Sequence, residues 1–144
     1  MALIFTDPNT AGPFTTFQAK DVSIKVFKLT FANFTTTNTD TLIGRLPADA
    51  SIVNIETWLK TAFSGNGVTS PVLSLGSASG GTQFSSAVAL TNTTGTFAIH
   101  SPVTGILQEY QVPLGGDINL YARGGCSTGN PTAGELYVVV KYVR

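Results

Sequence analysis

The chain alternates short runs of β-branched and aromatic residues with clusters of glycine, proline, asparagine and serine, and no stretch keeps a helical period of 3.6 residues. Threonine, valine and isoleucine favour strands, and the intervening clusters favour turns. The pattern therefore predicts an all-β chain of about eight or nine short strands. At 144 residues the chain is long enough for one buried core. We predict a single β-sandwich, jelly-roll-like in its strand order, over residues 21–144.

The clearest strand covers residues 51–63. One alternating set is suited to the core, namely Val53, Ile55, Thr57, Leu59, Thr61 and Phe63. The opposite set includes Trp58 and a Glu56/Lys60 pair at i,i+4 spacing, which leaves a short amphipathic helix as an alternative. We favour the strand because β-branched residues dominate and turn-forming residues bound it on both sides.

The last strand is predicted over residues 135–144. Leu136, Val138, Val140 and Tyr142 alternate with a second set that is also largely apolar. A strand that is apolar on both faces belongs at the centre of a sheet or at a subunit contact.

Residues 21–34 begin as a third strand and then change phase. Val22, Ile24 and Val26 occupy one parity, whereas Phe27, Leu29 and Phe31 occupy the other. Such a shift predicts a β-bulge, or a strand that bends from one sheet to the other. Further strands are predicted at residues 41–46, 72–75, 84–90, 96–100, 108–112 and 118–123.

The charge content restricts the classes of function. Only 11% of residues are charged, and eight basic and eight acidic side chains cancel. A neutral chain lacks the basic surface expected of a nucleic-acid-binding protein and the basic run that binds anionic membranes. A single cysteine, Cys126, leaves no internal disulfide framework and no multi-cysteine metal site. The first residues do not form a signal peptide, so synthesis in a cytoplasm is expected.

The residues that could support catalysis are few and scattered. The single histidine, His100, ends an apolar strand, and Ser101 beside it is not in a nucleophile-elbow sequence. The acidic residues match no calcium-loop spacing, and the glycine-rich loops at 76–81 and 124–130 precede no phosphate-binding helix. We therefore predict no enzyme, no catalytic residue, no metal and no cofactor.

Two groups of apolar residues point to contacts with a partner. Residues 1–20 form an irregular N-terminal arm that nonetheless carries Phe5, Phe14 and Phe17. This arm either folds back on its own sandwich or lies across a partner. The aromatic residues Trp58, Tyr110, Tyr121 and Tyr137 fall opposite the predicted core faces, where they would form a protein interface or a sugar platform.

From Leu46 onward the chain resembles the capsid decoration (cement) proteins of tailed bacteriophages. The similarity lies in residues 46–53 (LPADASIV), the Thr-Ala-Phe step at 61–63, the Leu-Ser-Leu-Gly segment at 73–76 and the closing strand at 131–142. The resemblance implies a β-sandwich, often trimeric, that clamps neighbouring major capsid proteins at the capsid surface of a virion. Residues 1–20 match nothing in the family, and no binding residue is transferred from it.

Two functions follow as hypotheses. The first is a homo-oligomeric capsid decoration protein, a trimer by preference, that contacts its partner through Phe5, Phe14, Phe17, Trp58 and Tyr137 and binds neither nucleic acid nor membrane. The alternative is a fibre, tail or vertex-associated module that recognises a glycan or a host surface through Trp58 or the glycine-rich loops.

Overall fold

A computed structural model describes residues 2–3, 17–18, 22–47, 50–100 and 118–143. Within these ranges the chain is built of strands and one 3₁₀ turn at Phe31–Asn33. The strands are β1 (Ala2–Leu3), β2 (Phe17–Gln18), β3 (Val22–Thr30), β4 (Phe34–Thr35), β5 (Thr39–Leu46), β6 (Ser51–Ser64), β7 (Val72–Gly76), β8 (Ser85–Ala89), β9 (Phe97–His100), β10 (Ile118–Gly125) and β11 (Ala133–Val143). The strand predicted at residues 108–112 lies outside the described residues.

The eight longer strands form two sheets. One sheet has the order β3-β11-β6-β9, and the other has the order β10-β7-β8 with β5 antiparallel to the start of β10 and β4 parallel to its end. Strands that are distant in sequence are therefore neighbours, as the two Greek keys of a jelly roll require. The strands β1 and β2 form a separate two-stranded sheet. The prediction of an all-β sandwich with jelly-roll order is confirmed.

The core lies between the two sheets and follows from residue alternation along β11. This strand is central, paired with β3 on one side and β6 on the other. Its Leu136, Val138 and Val140 side chains are fully buried, in one cluster with Leu73 and Leu120 of the opposite sheet. Each such side chain contributes about 1.5–3 kcal/mol relative to an exposed position. The predicted central place of this strand is confirmed.

The segment predicted as a strand over 51–63 is the strand β6, and the helical alternative is wrong. Ile55, Thr57, Leu59 and Phe63 are buried as predicted. At the start of the strand, however, Ile52 is buried in place of Val53, because the register with β11 shifts between Lys141 and Tyr142. A second shift, near Glu135, accompanies an exposed Thr61, so this residue is also wrongly assigned to the core.

The phase change in residues 21–34 has a different cause from the predicted bulge. The strand β3 pairs with β11 in unbroken register from Val22 to Thr30. The apolar residues of its first half, Val22, Ile24 and Val26, lie on the outer face, whereas Phe27 and Leu29 lie on the inner face. A regular strand therefore gives the appearance of a phase shift. The chain does cross to the other sheet, but it does so after Thr30, through the 3₁₀ turn that leads to β4.

Within the described ranges, no helix has the length and apolar character needed to cross a membrane.

Candidate interaction face

The most unusual surface of the molecule is the outer face of the β3-β11-β6-β9 sheet, meaning the side that points away from the core. In the part of the chain that the structure describes, six of its apolar side chains are exposed: Val22, Ile24, Val26, Trp58, Phe97 and Ile99. The most exposed are Phe97, at 70%, and Ile99, at 67%. A group of exposed apolar side chains on one face makes it a candidate interaction site.

A row of three aromatic rings crosses this face because the strand register aligns them. Phe97 of β9 is opposite Trp58 of β6, which is opposite Tyr137 of β11. The ring centroids of Trp58 lie 6.2 Å from Phe97 and 5.7 Å from Tyr137, with interplanar angles of 15° and 21°. Each such offset-stacked pair stabilises the sheet by about 0.5–1.5 kcal/mol beyond its burial.

The Glu135 carboxylate organises the charges beside the aromatic row. It lies 3.2 Å from Lys28 Nζ and 3.1 Å from Lys60 Nζ, and it accepts a 2.7 Å hydrogen bond from the Tyr137 hydroxyl. The Tyr137 hydrogen bond, followed by that of Lys60, lowers the pKa of Glu135 to about 2. The pKa of Lys60 is raised, chiefly by its hydrogen bond to Glu135. Lys60 Nζ also lies 5.7 Å from the centroid of the Tyr137 ring.

A second polar group lies at Glu56, further along the same strands. Its Oε1 atom is 3.4 Å from Lys141 Nζ and accepts a 2.7 Å hydrogen bond from Asn54 Nδ2. Among the described residues of the outer face, the three lysines and two glutamates are therefore all paired with one another. A face with its charges satisfied internally does not need an oppositely charged partner, so its apolar residues determine what it can bind.

The sequence-predicted contact residues fall into two groups. Trp58 and Tyr137 are brought together at the centre of the outer face. Phe17 lies in β2, opposite Leu3, and Phe5, Phe14 and Tyr110 lie outside the described residues.

Sequence reasoning missed the contribution of Phe97 and Ile99. A signal for them existed, because they have the opposite parity to His100 in β9, and His100 is fully buried. Once His100 is recognised as an inward-facing residue, alternation places Phe97 and Ile99 on the outer face.

The single histidine has a structural setting. His100 is held between two hydroxyls, with Thr57 Oγ1 3.0 Å from Nε2 and Ser85 Oγ 3.0 Å from Nδ1. Both hydroxyls also reach a backbone carbonyl, Ser85 Oγ that of Ser86 at 2.7 Å and Thr57 Oγ1 that of Ala98 at 3.5 Å. The much shorter Ser85 bond assigns Ser85 Oγ as the acceptor from Nδ1–H and Nε2 as the acceptor from Thr57. Burial of the ring lowers the pKa of His100 to about 4, so the imidazole is neutral at physiological pH.

Metal-binding and thiol chemistry have little support in the described ranges. These ranges hold no group of three or more His, Cys, Asp or Glu residues arranged to bind a metal ion. Cys126 is buried, and burial raises the pKa of its thiol, which disfavours the reactive thiolate.

The fold of this chain is similar to that of chains in three solved phage capsid structures. No protein-family model and no curated protein matches the sequence. Among solved structures, a chain in the acidic stable capsid structure of Helicobacter pylori bacteriophage KHP30 aligns with a TM-score of 0.60 and 9% identity, over 88% of this chain and 90% of that chain. A chain of the cyanophage Pam1 capsid asymmetric unit aligns with a TM-score of 0.57 and 18% identity, over 96% of each chain. A chain of the capsid of Ralstonia phage GP4 aligns with a TM-score of 0.56 and 17% identity, over 99% of this chain and 91% of that chain. The resemblance found in the sequence is confirmed at the level of the fold.

Proposed function

We propose that the chain is a structural virion protein: a decoration protein that stabilises a phage head by bridging neighbouring major capsid subunits. The observation that carries the proposal is the shared fold, which extends over nearly the whole chain, with chains of three phage capsids. The outer face of the β3-β11-β6-β9 sheet adds support, because it offers a broad apolar surface with its charges already paired.

The mechanism is adhesive. Burying about 400 Å² of apolar surface contributes about 10 kcal/mol to the free energy of binding. The loss of translational, rotational and side-chain freedom on association opposes binding by an amount of the same order. A single contact is therefore weak, whereas a copy that holds two capsid subunits at once gains from the high effective concentration of the second contact. Repeated over a closed shell, such bridges resist internal pressure.

The assembly that we propose is a homotrimer at the capsid surface, made in the host cytoplasm and bound to the major capsid protein. The N-terminal arm, residues 1–20, provides a second contact through Phe5, Phe14 and Phe17. Deleting residues 2–17 is expected to weaken attachment to the shell and to leave the sandwich folded, as measured by co-sedimentation with particles and by circular dichroism. Unchanged attachment would contradict the role of the arm.

The alternative is a fibre, tail or vertex module that binds a glycan or host surface through Trp58. A glycan site is expected to pair exposed aromatic rings with Asp or Asn in one concave site, whereas Trp58 lies in a row with Phe97 and Tyr137 on an open sheet face. This geometry favours a protein contact. The role is also proposed to be non-catalytic, since the imidazole of His100 is buried and engaged by Thr57 and Ser85.

The decoration role is tested with particles that lack this chain. Such particles should release their genome at a lower temperature or after a milder osmotic shock than complete particles. Adding the purified chain should restore resistance, in proportion to the amount bound. Particles that are equally resistant with and without the chain would contradict the proposal.

A further inference from the structure

The connection between β6 and β7 contains a tight turn centred on Asn66 and Gly67. The Val68 N–H donates to the Gly65 carbonyl at 3.1 Å, and both central residues have a positive φ, 50° for Asn66 and 66° for Gly67. These are the features of a type I′ turn, in which asparagine followed by glycine is strongly preferred. Both residues are exposed to solvent. The dipeptide that suits this turn is also the one in which an asparagine amide is chemically least stable.

An asparagine loses its side-chain amide when the backbone nitrogen of the next residue attacks the side-chain carbonyl carbon. The step is intramolecular, so its rate depends on how freely that nitrogen approaches. Gly67 has no side chain to obstruct the approach, and no atom beyond its chain neighbours lies within 4 Å of the position that a Cβ would occupy. Within the described ranges its N–H has no hydrogen-bond partner. Of the eight asparagines in the chain, Asn66 is the one that glycine follows.

Two other loop asparagines lack this combination. Asn92 accepts a hydrogen bond from the Phe63 N–H at 2.7 Å and donates one to the Phe63 carbonyl at 2.8 Å, so both ends of its amide are held. Asn130 is followed by Pro131, whose nitrogen carries no hydrogen and cannot attack. Asn92 therefore provides an internal control for the chemistry of Asn66.

The amide of Asn66 also joins two loops. Its Nδ2 atom donates a 2.9 Å hydrogen bond to the carbonyl of Asn130, in the loop between β10 and β11. Asn130 Oδ1 in turn accepts a 2.9 Å hydrogen bond from the Thr36 N–H, between β4 and β5. Nδ2 is the atom that deamidation removes as ammonia. A carboxylate oxygen in its place sets an acceptor against an acceptor, so the hydrogen bond between the turn and the loop is lost.

We propose that Asn66 is a site of spontaneous deamidation, and that its modification uncouples the β6–β7 turn from the loop between β10 and β11. The Gly67 nitrogen gives its proton to hydroxide and bonds to Asn66 Cγ, the Cγ–Nδ2 bond breaks, and ammonia leaves with a proton taken from water. Water then opens the resulting succinimide at either carbonyl, which yields aspartate or isoaspartate. Either product lowers the formal net charge, which is +0 in the intact chain, by one. The reaction needs only water and does not depend on the proposed virion role.

The test follows the purified full-length chain in mildly alkaline buffer by mass spectrometry of its peptides, with a synthetic peptide of residues 61–70 as the unfolded reference. The mass gain of deamidation should appear at Asn66, with isoaspartate among the products, and Asn92 should stay intact. Conversion should be slower than in the peptide, because the Asn130 carbonyl holds the Asn66 amide. Asn66→Gly tolerates the positive φ and should abolish the gain. No gain at Asn66 by the time the peptide is fully converted, or a faster gain at Asn92, would overturn the proposal.

The uncoupling is tested separately with Asn66→Asp, which carries the carboxylate of the product on an unaltered backbone. Its thermal unfolding midpoint should lie about 3 °C below that of the wild-type chain, because two facing acceptors replace one hydrogen bond. Asn66→Gly is the matched control, since it lacks the same bond but adds no acceptor, and its midpoint should lie above that of Asn66→Asp. An Asn66→Asp chain as stable as the wild-type chain would contradict the uncoupling.

Discussion

The buried histidine makes the stability of this domain depend on pH in a defined window. In the folded chain the pKa of His100 is lowered from 6.5 to about 4 by burial of the ring. Between those two values the unfolded chain binds a proton that the folded chain does not. The free energy of unfolding therefore keeps its full value above pH 6.5 as far as His100 is concerned, and it decreases as the pH falls from 6.5 toward 4.

The size of the effect follows from the two pKa values. Each unit of difference corresponds to about 1.4 kcal/mol, so lowering the pH from 7.5 to 4.5 should reduce the free energy of unfolding by about 2 to 3 kcal/mol. Glu135 contributes little in this window, because its pKa lies at about 2 against an ordinary value of 4.5, and its stabilisation is lost only below 4.5. In urea the midpoint should fall by about 1 M or more.

The assay compares urea unfolding of the wild-type chain with that of His100→Gln at pH 7.5, 6.0 and 4.5. Glutamine is neutral throughout and keeps a hydrogen-bonding group, so the variant has a lower stability at pH 7.5 and a flatter dependence on pH. The quantity of interest is the difference between the two slopes, which does not depend on the initial loss. Parallel curves for the two proteins would refute the assignment of the slope to His100.

Three further results are expected. Leu136→Ala should cost about 2–5 kcal/mol in urea unfolding, because its side chain is fully buried between the sheets, and a cost below 1 kcal/mol would contradict the described core. Tyr137→Phe should raise the pKa of Glu135 as followed by carboxyl NMR, since the Tyr137 hydroxyl is the largest cause of the low value, and an unchanged titration would argue against that hydrogen bond. Gly124→Ala should be strongly destabilising in thermal unfolding, because its Cβ would collide with the backbone carbonyl of Asn33 where β4 meets β10. The control is Gly95→Ala, whose Cβ meets no atom within 4 Å and which should cost about 1 kcal/mol of unfolding free energy from its positive φ alone.

Local pattern predicted the sandwich because strand formation and burial follow residue alternation. The strand β11 is the clearest case, since its inward set of Leu136, Val138 and Val140 is legible in the sequence and fully buried in the fold. Alternation fails where the register slips. The exchange of Val53 for Ile52 in the core of β6 depends on a shift against β11 that neither strand reveals alone.

The candidate interaction face could be predicted only in part, because it is assembled from strands that are distant in sequence. The sequence predicts Trp58 and Tyr137 as exposed aromatic residues, but the row that they form with Phe97 depends on which residues face each other across three strands. The exposed apolar residues of β3 were hidden for another reason: a strand with apolar residues on both faces has the same local pattern as a strand with a bulge.

The proposed role of this chain in decorating a phage head is tested most directly by its copy number. Quantitative mass spectrometry of purified particles from its source would measure the chain against the most abundant shell protein. A number of copies comparable to that of the shell protein is the predicted result. A few copies per particle would favour the tail, fibre or vertex role, and absence from the particles would contradict a virion role altogether.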